Sequence, residues 1–189
     1  MRSTLLLAGA LLAPLSAPSF AAGDEKPDLK RGAYLATVGG CGDCHTPLKM
    51  GPKGPEPDLS RQFAGHPAEM KMGPAPALGN GPWLWAGAAT NTAFAGPWGI
   101  TYAANLTADK ETGLGNWKPE EFVKALKTGK HAGVGRPILP PMPWQNYSQM
   151  TDGDLRSLFA YLQSVPALKN RVPDYQPPAA PAAATTTSR

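Results

Sequence analysis

Cysteine is almost missing from this chain: two residues, Cys41 and Cys44, in 189. A disulfide-stapled scaffold is thereby excluded, since the one bridge available would close a tiny loop and stabilise little. Histidine is as scarce, with only His45, His66 and His131. A closed zinc site would have to combine both cysteines with two scattered histidines, and no second ligand pair has zinc spacing. Charged side chains make up 17% of the chain and leave a formal charge of +4, a bias too mild to point to nucleic acid. No repeat of solenoid period is present. No apolar run reaches the roughly 20 residues that span a bilayer. No segment alternates apolar and polar residues over a strand's length, so the expected fold class is all-α, mainly helical with long loops.

Proline and glycine are plentiful, at 22 and 21 residues. So much punctuation limits long regular elements, and much of the backbone must be held by something other than helix or sheet ladders. A large buried cofactor would do that. The chain starts "MRSTLLLAGALLAPLSAPSFAAGDEK". Arg2, the apolar run from Leu5 to Leu12 and the small residues Ser19 and Ala21 read as an export signal over 1–21, cleaved near Ala21. At the other end, 177–189 is low-complexity Pro/Ala/Thr that cannot bury enough apolar surface to order itself. One domain is expected between them, over 22–176.

Three helices are predicted. "DLKRGAYLATVGG" (28–40) has Asp28 at the N-cap, Gly39-Gly40 as its stop, and Leu29, Ala33, Ala36 and Gly40 on one small-residue face. "KPEEFVKALKTGKH" (118–131) has Pro119 in the first turn, Glu120 and Glu121 at the positive dipole end, and Gly129 as its stop. Its buried stripe is Phe122, Val123 and Leu126. "TDGDLRSLFAYLQSV" (151–165) is capped by Thr151, with Asp154 at the capping-box position and Leu155, Leu158, Phe159 and Leu162 as its stripe. From 46 to 99 periodicity disappears, and an irregular insertion is expected there.

"CGDCH" (41–45) carries the chemistry. A thioredoxin-type dithiol follows a strand and opens a helix, whereas this motif follows a predicted helix. The remaining reading of C-x-x-C-H is covalent attachment of one haem c. Cys41 and Cys44 would bond the two haem vinyl groups, and His45 would lie beneath the iron as proximal ligand. Attachment after export agrees with the signal and places the protein in the periplasm. The distal ligand must come from elsewhere: His66, His131, or one of the methionines Met50, Met70, Met72, Met142 and Met150. Met142 is singled out by its place between prolines 140, 141 and 143, because a rigid loop leaves little ordering entropy to oppose a weak thioether bond. A histidine ligand and an open sixth position remain as alternatives.

Helix, CxxCH, loops, helix, proline-flanked methionine and amphipathic last helix together resemble class I cytochrome c over about 28–173. The likeness is sharpest in "CGDCH", "NLTADKETGLGNWKPEEFVKALKTGKH" and "GRPILPPMPWQNYSQMTDGDLRSLFAYLQSVPALKNRVP". The last two stretches resemble cytochrome c domains of bacterial alcohol and aldehyde dehydrogenase subunits, which carry several haems where this chain has one motif. The resemblance implies a cytochrome c fold whose first and last helices cross, with Gly32 against Tyr161 or Phe159. It also implies a proximal histidine that donates to a backbone carbonyl.

The expected function is electron transfer and not enzymatic catalysis. With Met142 on iron opposite His45, the protein would shuttle single electrons between a dehydrogenase and the respiratory chain. It is expected to have no membrane span and to be a monomer or a loosely associated subunit. Alternatives are a dedicated electron-accepting subunit of a dehydrogenase, docked through the insertion, or a haem peroxidase or sensor with a labile sixth ligand. Lys118, Lys124, Lys127, Lys130 and Arg136 could form a basic rim for a redox partner, or simply a solvated helix face. The five tryptophans (83, 85, 98, 117, 144) are expected in pocket wall and core.

Overall fold

A computed structural model describes residues 26–78 and 81–178. The expected export signal at 1–21 and most of the tail at 177–189 lie outside the described residues. Among the described residues five α-helices, α1 (Leu29–Val38), α2 (Cys41–His45), α3 (Pro119–Thr128), α4 (Trp144–Tyr147) and α5 (Asp152–Ser164), surround one apolar core. No helix among the described residues is long and apolar enough to cross a membrane.

The three anticipated helices form where their caps predict. Asp28 accepts from the Lys30 amide at 2.8 Å and starts α1. The Lys118 amide donates to Glu121 at 2.8 Å, and Gly129 ends α3 in the left-handed region at φ 66°. Thr151 accepts from the Asp154 amide at 3.1 Å and starts α5. The Asp154 carboxylate is not spent on a capping box; it accepts from Arg31 Nε at 2.9 Å and ties α5 to α1. Leu155, Leu158 and Leu162 are 0–2% exposed and form the centre of the core. The buried face of α1 is Gly32, Leu35 and Ala36, while Leu29 is half exposed. Gly32 meets α5 at the Ser157 carbonyl and Tyr161 Cβ. Phe159 instead stacks on Phe122 of α3, centroids 5.3 Å apart.

The all-α expectation is overturned by five strands in two antiparallel sheets among the described residues. A hairpin pairs β1 (Leu48–Gly51) with β2 (Gly54–Pro57). A second sheet runs β3 (Ala86–Gly87), β4 (Ala93–Gly96), β5 (Gly99–Tyr102). The irregular insertion therefore contains ordered ladders. Their lengths of two to four residues give periodicity nothing to register. In β1 and β2 no residue is buried, and in β4 three consecutive residues are, so neither hairpin alternates. Beyond α5 the chain returns as a strap whose Gln176 bridges Ile100 through two backbone hydrogen bonds of 2.8 and 3.0 Å.

Candidate haem site

The turn from α1 into α2 needs its two glycines. Gly40 takes φ 65° at the start of α2, and a Cβ on Gly39 would come 2.8 Å from the Leu35 carbonyl oxygen. Tyr147 of α4 fastens this turn by donating its hydroxyl to the Gly39 carbonyl at 2.5 Å. Burial pushes that hydroxyl's pKa up to about 12, so it stays a donor.

On α2, Cys41, Cys44 and His45 all line one cavity of about 390 Å³. Burial pushes the Cys41 thiol up to about 11 and raises Cys44 as well. Dithiol oxidoreductases depend on the opposite shift, so the thiols are not set up for exchange chemistry. His45 is buried, and its Nδ1 sits 2.7 Å from the Ala104 carbonyl. That carbonyl can only accept, so Nδ1 carries the proton and Nε2 is left with a lone pair. No hydrogen bond to Nε2 occurs among the described residues. Burial also depresses the imidazole pKa and keeps the ring neutral.

The Ala104 carbonyl is held in turn. Gly65, at φ 76°, donates its amide to the His45 carbonyl at 2.8 Å, and a Cβ there would come within 2.6 Å of the Ala104 oxygen. Asn105, 4% exposed, donates to the Leu168 carbonyl at 2.8 Å and accepts from the Thr107 amide at 2.9 Å. Asn170, 3% exposed, donates to the Ala64 and His66 carbonyls at 2.6 and 2.9 Å and accepts from the Ala68 amide at 2.9 Å.

Met142 lines the same cavity and packs against the core. The other methionines of the described residues do not line it: Met50 is 78% exposed, Met70 is 40% exposed, Met72 lines a second, smaller cavity, and Met150 packs on the core. His66 also lies outside it. Both of its ring nitrogens are engaged, Nδ1 with Thr92 Oγ1 at 2.9 Å and Nε2 with the Met70 carbonyl at 3.0 Å. His131 does line the cavity, edge-on to Trp117 at 4.9 Å between centroids. Of the tryptophans only Trp117 borders it, and Trp83 is 75% exposed. In the anticipated basic rim, Lys127 is engaged internally, donating to the Ser148 and Met150 carbonyls at 3.0 and 2.5 Å.

Much of the remaining wall is apolar, with Leu114, Phe122, Leu126, Leu158 and Leu162 facing the space. Two thiols three residues apart on a helix, an imidazole whose Nε2 has no partner among the described residues, a thioether and apolar walls are groups that could hold a covalently attached haem. The cavity volume lies in the roughly 300–1,000 Å³ range of cofactor pockets. The residues present therefore fit that group. The resemblance implied a carbonyl partner for the proximal histidine but could not place it at Ala104, and sequence reasoning missed Tyr147, Asn105 and Asn170, whose main bonds reach residues distant in sequence that no motif marks.

The donor set and cavity define a haem-c-type site, and comparison with known proteins agrees in class. No protein-family model matches the chain. The fructose dehydrogenase cytochrome subunit of Gluconobacter japonicus is 30% identical over 164 residues, covering 87% of this chain and 26% of the relative. The cytochrome c subunit of the quinone alcohol dehydrogenase of Gluconobacter oxydans is 30% identical over 149 residues, covering 77% and 24%. The gluconate 2-dehydrogenase cytochrome c subunit of Pantoea cypripedii is 32% identical over 133 residues, covering 70% and 22%. The chain is thus related to cytochrome c subunits of bacterial dehydrogenases, and it spans about a quarter of the length of these relatives.

Proposed function

We propose that this chain is a periplasmic electron carrier that holds one haem c, joined to Cys41 and Cys44 and ligated by His45 and Met142. It would take single electrons from a dehydrogenase and pass them towards the respiratory chain. The observation that carries the reading is the meeting of all four side chains on one cavity with His45 Nε2 unpartnered. Bound haem supplies a one-electron iron couple, which methionine ligation biases towards the reduced state. The protein's own residues do the rest. Ala104 fixes the tautomer and orientation of His45 and makes the imidazole a stronger donor. Leu114, Phe122, Leu158 and Leu162 exclude water. The rigid Pro140–Pro143 loop presents the thioether. His131, which shares the cavity, is the competing ligand.

The names of the relatives favour a second arrangement of the same chemistry, in which the chain is a cytochrome subunit bound to its dehydrogenase and not a free shuttle. Co-purification from the native host separates the two.

The test is an optical spectrum of chain matured with haem c, wild type and Met142→Ala. Low-spin haem whose weak far-red sulfur-to-iron band disappears in the variant supports the reading. A low-spin spectrum unchanged by the variant moves the ligand to His131. High-spin wild-type haem overturns the carrier in favour of a peroxidase or sensor.

A further inference from the structure

The segment around Met142 has a shortage of donors. Pro140, Pro141 and Pro143 have no amide hydrogen, so three of four consecutive residues cannot anchor themselves through N–H groups. On either side the backbone is fastened: the Ile138 amide donates to Gly129 at 2.7 Å, and the Trp144 amide to Met142 at 2.9 Å. Across 139–141, one hydrogen bond is present among the described residues. Thr101 Oγ1 of β5 donates to the Pro140 carbonyl at 2.8 Å. Its other acceptor within reach, the Phe94 carbonyl, is at 3.4 Å, so the single hydroxyl proton belongs to Pro140. Thr101 itself stands on a firm post. β5 pairs with β4 on one side, and at Ile100 it bridges to the returning strap through Gln176 on the other. Tyr175 of the strap adds a 2.6 Å hydrogen bond to the Trp98 carbonyl.

We infer that Thr101 is a positioning residue for Met142, through which the β3–β4–β5 sheet holds the methionine loop against the cavity. The inference rests on the reading that Met142 is the second axial ligand. Thr101 also borders the cavity, but its role here runs through the Pro140 carbonyl: it limits how far the loop can swing away, and so how readily another ligand replaces the thioether. A neutral hydrogen bond contributes about 1 kcal/mol net, close to fivefold in an equilibrium constant.

The experiment is imidazole titration of the ferric, haem-loaded full chain, followed by loss of the far-red sulfur band. Thr101→Val keeps the β-branched shape and removes the donor; it is expected to bind imidazole about fivefold more tightly. Thr101→Ser keeps the hydroxyl and is expected to return within about twofold of wild type. Thr101→Ala against Thr101→Ser makes the same comparison should the valine variant not accumulate. A merely structural role for Thr101 would lower the melting temperature without this hydroxyl-dependent change in affinity. Equal affinities in wild type and Thr101→Val, or equal affinities in the valine and serine variants, overturn the inference alone. A far-red band that is absent from wild type, or insensitive to Met142→Ala, overturns the ligand reading and the inference with it.

Discussion

Gly32→Ala probes the crossing of α1 and α5 on which the cavity's back wall depends. A methyl group at position 32 would collide with the Ser157 carbonyl oxygen and come 2.7 Å from Tyr161 Cβ, where 3.4 Å begins ordinary contact. The obstacles are backbone and a Cβ, so no rotamer change relieves them and the helices must separate. Overpacking of this kind costs about 1–3 kcal/mol, and an unyielding neighbour argues for the upper end. Alanine's better helix propensity returns about 1 kcal/mol. The net is a loss of about 2 kcal/mol, which for a domain of this size lowers Tm by roughly 4–8 °C. Gly153→Ala is the internal control: it lies in the first turn of α5, and the nearest neighbour of the added methyl would be Thr151 Oγ1 at 3.9 Å. There the propensity gain stands alone, and Tm should rise. Far-UV circular dichroism melts of the haem-loaded chain measure both. A Gly32→Ala variant that melts at or above wild type, beside a stabilised Gly153→Ala, would refute the close crossing.

Asn170→Ala strips the donor from two carbonyls and the acceptor from the Ala68 amide, all at a residue 3% exposed. A loss of about 3 kcal/mol is expected in urea unfolding, and a loss under about 1 kcal/mol would count against the bonds. With haem ligated by His45 as proposed, Gly65→Ala, which pushes on the Ala103 and Ala104 carbonyls, should disturb the bond from Ala104 to His45. A less electron-rich imidazole favours ferrous iron, so the reduction potential should rise, by roughly 40 mV for about 1 kcal/mol; spectroelectrochemistry showing no change or a fall would refute this. Burial depresses His66, so the unfolded chain binds the proton more readily than the folded one. The resulting stability is full above the unfolded value of 6.5 and declines as pH falls below it. The urea midpoint should therefore drop on acidification, and less steeply in His66→Gln; parallel slopes would refute the role of His66.

What was legible in the sequence is what local rules write down. Asp28, Thr151, Pro119 and Gly129 bound their helices as expected, because a cap acts within a turn of its own residue. The stripe of α5 became the core. The "CGDCH" stretch and Met142 stand out in the sequence by their residue types and spacing, and their side chains line one cavity. The strands could not be read, because β2 is "GPEP" and β3 is two residues long. Their existence depends on pairing partners and not on their own pattern. The face of α1 was misjudged by one step: Gly32 is buried where Leu29 is half exposed, because a close crossing selects the smallest side chain over the most apolar one. Ala104 was illegible for a plainer reason, since any residue carries a carbonyl.

The abundance of proline and glycine acquires a different meaning in the folded chain. It pointed to a backbone that something other than regular ladders must hold, and short ladders together with side-chain amides and hydroxyls supply much of that hold. On the His45 side, Asn105 anchors the loop that carries the Ala104 carbonyl, while Asn170 and Gly65 fix the facing 64–68 segment, whose His66 amide donates to the Ala103 carbonyl. On the Met142 side, Thr101 reaches from a three-stranded sheet to a loop with too few donors of its own. The two supports involve different residues and meet the cavity through different segments. With haem bound as proposed, they should fail separately. Damage around Ala104 alters how strongly His45 donates and so moves the potential, whereas damage at Thr101 alters how firmly Met142 stays and so moves the affinity for outside ligands. A substitution at Gly65 that changed imidazole affinity while leaving the potential fixed would contradict that division, because it would mean that the two sides of the site are coupled through the cavity and not carried independently by the chain.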